Sequence, residues 1–229
     1  AKKVFPEINC SVLYVPAMAI YDAVLEAIEA GITLVNIVTE HVPTHDIIKL
    51  IAYARNKAVR IIGPGSIGVI TPAKGKIGSI GGFTPQRSFR PGNIGIISKS
   101  GGMCSELSSM LSLLELGQST VVGIGGDRII GTTFADLMLL FEKDEKTKLV
   151  VLYGEIGGSY EEQAAELLLT KKFAKPLVAC VSGIFASTLP QGLSLGHAGA
   201  IIQGGEGTRD SKISALKKAG AVIAETSDQ

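Results

Sequence analysis

Apolar residues in this chain fall into short β-rich runs that alternate with stretches of helical periodicity. SVLYVPA (11–17), TLVNIVTE (33–40) and VRIIGPG (59–65) are read as strands, separated by the amphipathic segments AIYDAVLEAIEAG (19–31) and THDIIKLIAYARNK (44–57). Residues 66–92 then break the rhythm with Gly and Pro and are read as a boundary. A second series follows: strands at 93–100, 119–126, 148–156, 175–183 and 221–225, helices at 101–116, 132–144, 159–172 and 208–220. The strands are nearly continuous in apolar residues, which implies parallel sheets covered on both faces. The pattern therefore predicts α/β architecture, doubly wound, twice over, with domains at 1–85 and 92–229. The chain opens almost at once on an apolar strand, which implies that an N-terminal portion of the first domain precedes it.

In doubly wound sheets ligands bind beyond the carboxyl ends of the strands, so the turns after strands are where chemistry is expected. Three stand out: SKSGGM (98–103), GEIGGS (154–159) and GHAGAI (196–201). In the first, small residues lead from strand into helix. The N–H groups of Gly101, Gly102 and Met103 behind Ser100 can receive an anion, or the glycines can serve close packing. In the second, Glu155 ends a buried strand, and an ionised carboxylate there needs a partner, although a capping or packing role is equally open. In the third, His197 stands between glycines with little side-chain company, as expected for a loop residue. Imidazole nitrogen is a good nucleophile toward phosphorus, so a histidine, an orienting acid and an anion-receiving helix suggest a phosphohistidine relay.

Composition narrows the alternatives. With 229 residues, 46% hydrophobic content and net charge +1, the chain has the makings of a globular protein and no basic footprint for nucleic acid or an anionic membrane. No membrane span or cleavable signal is read. Cys10, Cys104 and Cys180 lack metal-ligand spacing and read as reduced thiols, implying the cytoplasm or, in a eukaryote, the mitochondrial matrix. No phosphate loop occurs, and GIGGDR (123–128) lacks the last glycine of the dinucleotide fingerprint. GLSLG (192–196) matches the nucleophile elbow of hydrolases around Ser194, but LPQ ahead of it is no strand and His197 follows too soon.

Taken in order, GQSTVVGIGGD (117–127), FEKD (141–144), GEIGG (154–158), GHAGAI (196–201) and GEGT (205–208) resemble the α subunit of succinyl-CoA synthetase and its relatives, ATP-citrate lyase and citryl-CoA synthetase, from about Ser11 onward. The resemblance implies the C-terminal part of a Rossmann-like CoA-binding domain followed by a flavodoxin-like ligase domain. It further implies phosphorylation of His197, support from Glu155, and a phosphoryl cradle at Ser100, Gly101, Gly102 and Met103. Later CoA-facing turns would include Val15, Pro16, Thr39, Glu40 and Pro64. ATP or GTP, with Mg, would be held by an ATP-grasp β-type subunit or module, making a hetero-oligomer that takes a small carboxylic acid and coenzyme A. No metal site is expected in this chain.

The motifs divide on the acid. Succinate enzymes commonly show S-R-S-G-T, G-G-D-P and G-P-N where this chain has SKSGG, GGDR and GPG. SGGMxxEL, GGDR and KIGxxGG look like the citrate branch, whereas FEKD and GEGT look like the succinate branch. Gly102 in place of Thr leaves room at the helix start and Arg128 adds a cation, so citrate is the acid expected, with succinate as the alternative. A non-catalytic CoA-binding module is the remote alternative.

Overall fold

The computed structural model describes residues 1–184, 197–201 and 207–229. Ser194 and the Gly205–Glu206 half of the GEGT motif lie outside the described residues. A first sheet pairs β1 (Cys10–Leu13), β2 (Leu34–Ile37) and β3 (Arg60–Ile62) in parallel, in that order. Helices α1 (Ile20–Glu29) and α2 (Thr44–Asn56) connect them. Their apolar stripes, Ile20, Val24, Ala27 and Ile28 on α1 and Ile47, Leu50, Ile51 and Ala54 on α2, are buried in one cluster with Val35 and Ile37. Each fully buried aliphatic side chain contributes about 1.5–3 kcal/mol.

The second sheet is larger. It comprises β4 (Gly68–Thr71), β5 (Gly75–Gly78), β6 (Pro91–Ser98), β7 (Gln118–Gly123), β8 (Leu149–Gly154), β9 (Leu177–Val181) and β10 (Val222–Ile223), ordered β10-β9-β8-β6-β7-β4-β5. Its helices are α3 (Gly101–Leu113), α4 (Phe134–Lys143), α5 (Tyr160–Leu169) and α6 (Arg209–Lys218). Counted from β6, the parallel strands run second-first-third-fourth-fifth, which is the flavodoxin-like order. The chain leaves β6 toward β7 on one side and then crosses to β8 on the other, so the switch point lies at the carboxyl end of β6. Ile96, Ile97, Val121, Val150 and Leu152 are buried at the centre, as parallel strands with two covered faces require.

The stretch 66–92 contains more than a boundary. β4 and β5 form a hairpin that adds to the second sheet, β4 pairing antiparallel with both β5 and β7. The hairpin escapes sequence patterning because glycine occupies its pairing positions. A Cβ on Gly68, at φ +111°, would lie 2.0 Å from the Ile77 carbonyl oxygen, so the close approach itself demands the glycine. The other strands are found where the pattern predicts them but end earlier. VPA, TE, GPG, KS, IGG and EI, read as strand, are the turns in which the site lies.

Candidate active site

The carboxyl ends of β6, β7 and β8 are level with one another, since Ser98 pairs with Gly123 on one side and Tyr153 on the other. The turns that leave these strands therefore converge. From β8 comes Glu155, 8% exposed, its N–H donating to Glu161 Oε1 at 3.1 Å. Glu161 is in turn fully buried with Lys212 of α6 in an ion pair, and Lys212 also reaches Glu162 at 3.5 Å. From β6 comes Lys99, 2% exposed, its ammonium 3.1 Å from Glu155 Oε1 and 5.7 Å from the Tyr160 ring centroid. From β7 comes Gly126, against which the imidazole of His197 lies flat: a Cβ there would be 2.4 Å from His197 Cγ.

His197 is held by a 2.6 Å contact between Nδ1 and Glu155 Oε2. With Nδ1–H donating to the carboxylate, Nε2 carries the lone pair of the neutral ring. The loop is tied locally by Gly199 N–H donating to the Gly126 carbonyl at 2.9 Å and Ala200 N–H to the His197 carbonyl at 3.1 Å. Gly157, at φ +86°, admits it, because a Cβ there would be 2.1 Å from the Gly199 carbonyl oxygen. The Glu155 hydrogen bond raises the His197 pKa above its ordinary value; burial and the Lys99 charge oppose the rise, and Glu40 adds to it. Burial pushes the Glu155 carboxyl up, but the His197 hydrogen bond and Lys99 together outweigh burial and hold it below the usual range.

Ser100 caps α3, its N–H on Ser98 Oγ at 3.1 Å and its carbonyl accepting from the same hydroxyl at 2.7 Å. The two glycines behind it differ. A Cβ on Gly101 would be 2.4 Å from Ile67 Cγ2, so packing demands that glycine, whereas a Cβ on Gly102 would meet nothing within 4 Å. Met103 is half-buried in the same first turn. Burial drives the Cys104 thiol to about 12, which removes it as a nucleophile. Arg128 is exposed and lines a cleft of about 730 Å³ with Lys99, Ser159, Tyr160, Gly199 and Ile201.

At the carboxyl edge of the first sheet, Thr39 Oγ1 donates to the Val15 carbonyl at 2.6 Å, joining the turns after β1 and β2. Pro16 and Glu40 are exposed there, while Pro64 is buried, its carbonyl facing Gly125. Asp127 ties the two sheets: its Oδ1 accepts from the His41 N–H at 3.3 Å. Burial lifts the Asp127 carboxyl, an effect only partly offset by the His41 and Val42 N–H groups. Among the described residues, no group of three or more His, Cys, Asp or Glu side chains could hold a metal, and no helix is long and apolar enough to cross a membrane.

Lys99, Gly126 and the Glu161–Lys212 pair are not predicted from sequence. Lys99 carried a usable signal, since it is a charge at the end of an apolar strand, the same feature that singles out Glu155.

A family model described as CoA-ligase matches residues 97–222, and one described as CoA binding domain matches residues 1–41. The ADP-forming succinate–CoA ligase subunit alpha 2 of Archaeoglobus fulgidus is 48% identical over 218 residues, 95% of this chain and 73% of that protein. The corresponding alpha subunit of Methanothermobacter thermautotrophicus is 44% identical, over 96% of this chain and 71% of its own length. Among solved structures, an ATP citrate lyase from Methanothrix soehngenii in complex with citrate and coenzyme A superposes with a TM-score of 0.94 at 32% identity, covering 98% of this chain. This chain spans only 37% of that lyase chain.

Proposed function

The chain belongs to the CoA-ligase family that includes the succinate–CoA ligase α subunits, and we propose that it is the α-type part of a nucleoside-diphosphate-forming acid–CoA ligase in which His197 carries the phosphoryl group. The observation that carries this reading is the 2.6 Å contact of Glu155 Oε2 with His197 Nδ1 at the switch point of the ligase sheet. Glu155 fixes the tautomer, leaving Nε2 to attack the terminal phosphorus of the nucleoside triphosphate, with release of the diphosphate. The first N–H groups of α3, which have no partner within a helix, stabilise the transferred group. Nε2 then gives up the phosphoryl group to the carboxylate of the acid, forming an acyl phosphate. Coenzyme A supplies the thiol that displaces phosphate and ends as the thioester.

The turns at Val15–Pro16 and Thr39–Glu40 face outward at the carboxyl edge of the first sheet, which suits the later half of a CoA site; Pro64 shapes the third turn from inside. The nucleotide and Mg belong to an ATP-grasp β-type partner, with which the chain forms a hetero-oligomer. The acid is succinate. Relatives named for it share 42–48% of residues with this chain, against 32% for the ATP citrate lyase.

The test is to incubate the complete complex with ATP labelled in the γ-phosphate. Acid-labile, base-stable label is expected on the wild-type chain and none on His197→Asn, whose stability should change by no more than about 1 kcal/mol because the residue is on a loop. Label persisting on the variant would overturn the assignment of His197. Hydroxamate trapping should show faster turnover with succinate than with citrate, and the reverse order would restore the citrate reading.

A further inference from the structure

We propose that Lys99 is a positioning residue of the His197 site, whose ammonium balances the Glu155 carboxylate so that Glu155 orients the imidazole without locking it as imidazolium. The inference deepens the phosphoryl-carrier reading and rests on it. The two oxygens of one buried carboxylate are divided between two partners, Oε1 3.1 Å from Lys99 Nζ and Oε2 2.6 Å from His197 Nδ1. Lys99 approaches Oε1 as an ion pair, and its charge and its direct contact both hold the carboxylate down. At 2% exposure the ammonium has little water to screen it, and its position is fixed by the β6–α3 turn and the Tyr160 ring.

The chemistry sets opposite demands on Glu155. An ionised carboxylate on Nδ1 gives the right tautomer, but an isolated buried carboxylate beside imidazole favours the doubly protonated ring, whose Nε2 cannot attack. A positive charge on the far oxygen offsets part of that bias while keeping the hydrogen bond. Two other charged groups facing His197 are acidic and do not supply it. Glu40, from the β2–α2 turn, adds to the pull toward imidazolium, and Asp127, from the β7–α4 turn, has its carboxylate occupied by backbone N–H of His41. Arg128 stands on the wall of the cleft that Lys99 also lines. Lys99 acts in the opposite sense to Glu155 and Glu40, favouring the neutral ring.

The experiment uses the complete complex carrying Lys99→Met or Lys99→Arg. The initial rate of ATP-derived labelling of His197 is followed against pH, and the ring of His197 is titrated by NMR in the same samples. For Lys99→Met the acid limb of the rate profile should move to higher pH. The rate at neutral pH should fall roughly tenfold while the alkaline plateau stays within about twofold, the consequence of one charge lost at short range. Lys99→Arg should follow the wild type in both measurements. A purely structural lysine would lower the plateau and leave the limb where it was, and that result, or an unshifted His197 titration, would overturn the proposal. Lys99→Gln provides the same charge removal with a polar side chain if the Met variant does not fold. Because the NMR titration needs no turnover, a wild type that never labels would sink the phosphoryl-carrier reading while the role of Lys99 is still decided.

Discussion

The sharpest consequence of the geometry concerns Gly126, which carries no reactive group. Its Cα faces the imidazole so closely that an added Cβ would lie 2.4 Å from Cγ, 2.6 Å from Cδ2 and 2.7 Å from Nδ1 of His197. Ordinary contact begins at 3.4 Å, so in Gly126→Ala the ring has to retreat by about 1 Å. Gly126 is not among the glycines at positive φ, so its backbone accepts alanine and the fold should lose at most about 1 kcal/mol. A displacement of about 1 Å at a reacting atom costs on the order of 10²-fold in rate, or about 2.7 kcal/mol of barrier. The expected outcome is thus a folded complex whose labelling from ATP is slowed about a hundredfold. Thermal melting followed by circular dichroism establishes the first half and quenched-flow labelling the second. A folded alanine variant that labels at the wild-type rate would refute the claim that Nε2 is aimed by the flat of the Gly126 turn.

Glu155→Gln keeps the shape of the contact and removes its charge; labelling of His197 should slow by about 10²-fold at its maximum. Because Glu155 is the main cause of the raised His197 pKa, the nucleophilic form should appear at lower pH in the variant, so its acid limb moves down even as the plateau falls. An unmoved limb would show that the carboxylate does not govern the imidazole. Lys212→Met leaves Glu161 charged and buried, and denaturant unfolding should show a loss of about 3–5 kcal/mol, partly recovered in Lys212→Met/Glu161→Gln. Since Glu161 holds the Glu155 N–H, slower labelling should accompany the loss, and full activity in a destabilised chain would confine the pair to stability.

The parallel strands of both sheets and their helices were legible because amphipathic helices and apolar strands alternate along the chain. What hydrophobicity cannot show is where hydrogen bonding stops. Ile124 and Ile156 are as buried as strand residues, yet they belong to the turns that carry Gly126 and Glu155. The hairpin of β4 and β5 was hidden by the glycines its close pairing requires. At the site, His197 and Glu155 were legible from residue type and position, and they lie in direct contact. The SGG turn was harder to read. Its two glycines look equivalent in sequence, but one is demanded by Ile67 across a packing contact from a distant segment, and no local pattern encodes that. The Glu161–Lys212 pair joins residues 51 apart in sequence, so its existence is a fact of the fold alone.

The raised proton affinity of His197 looks at first like a handicap for a nucleophile, since it reduces the neutral fraction at any given pH. It is better understood from the return step. In the proposed reaction, the ring phosphorylated at Nε2 is a good leaving group only while Nδ1 keeps its proton, because the imidazole then departs neutral. A carboxylate on Nδ1 serves both directions: it holds the proton there during attack and again during donation, when positive charge on the ring would otherwise be uncompensated. The cost falls on the fraction of ring available to attack, which is where a cation on the far oxygen of the same carboxylate acts. Glu155, with one oxygen toward His197 and the other toward Lys99, is therefore placed to serve both directions of the proposed transfer, in which the carrier must both accept and give up a phosphoryl group.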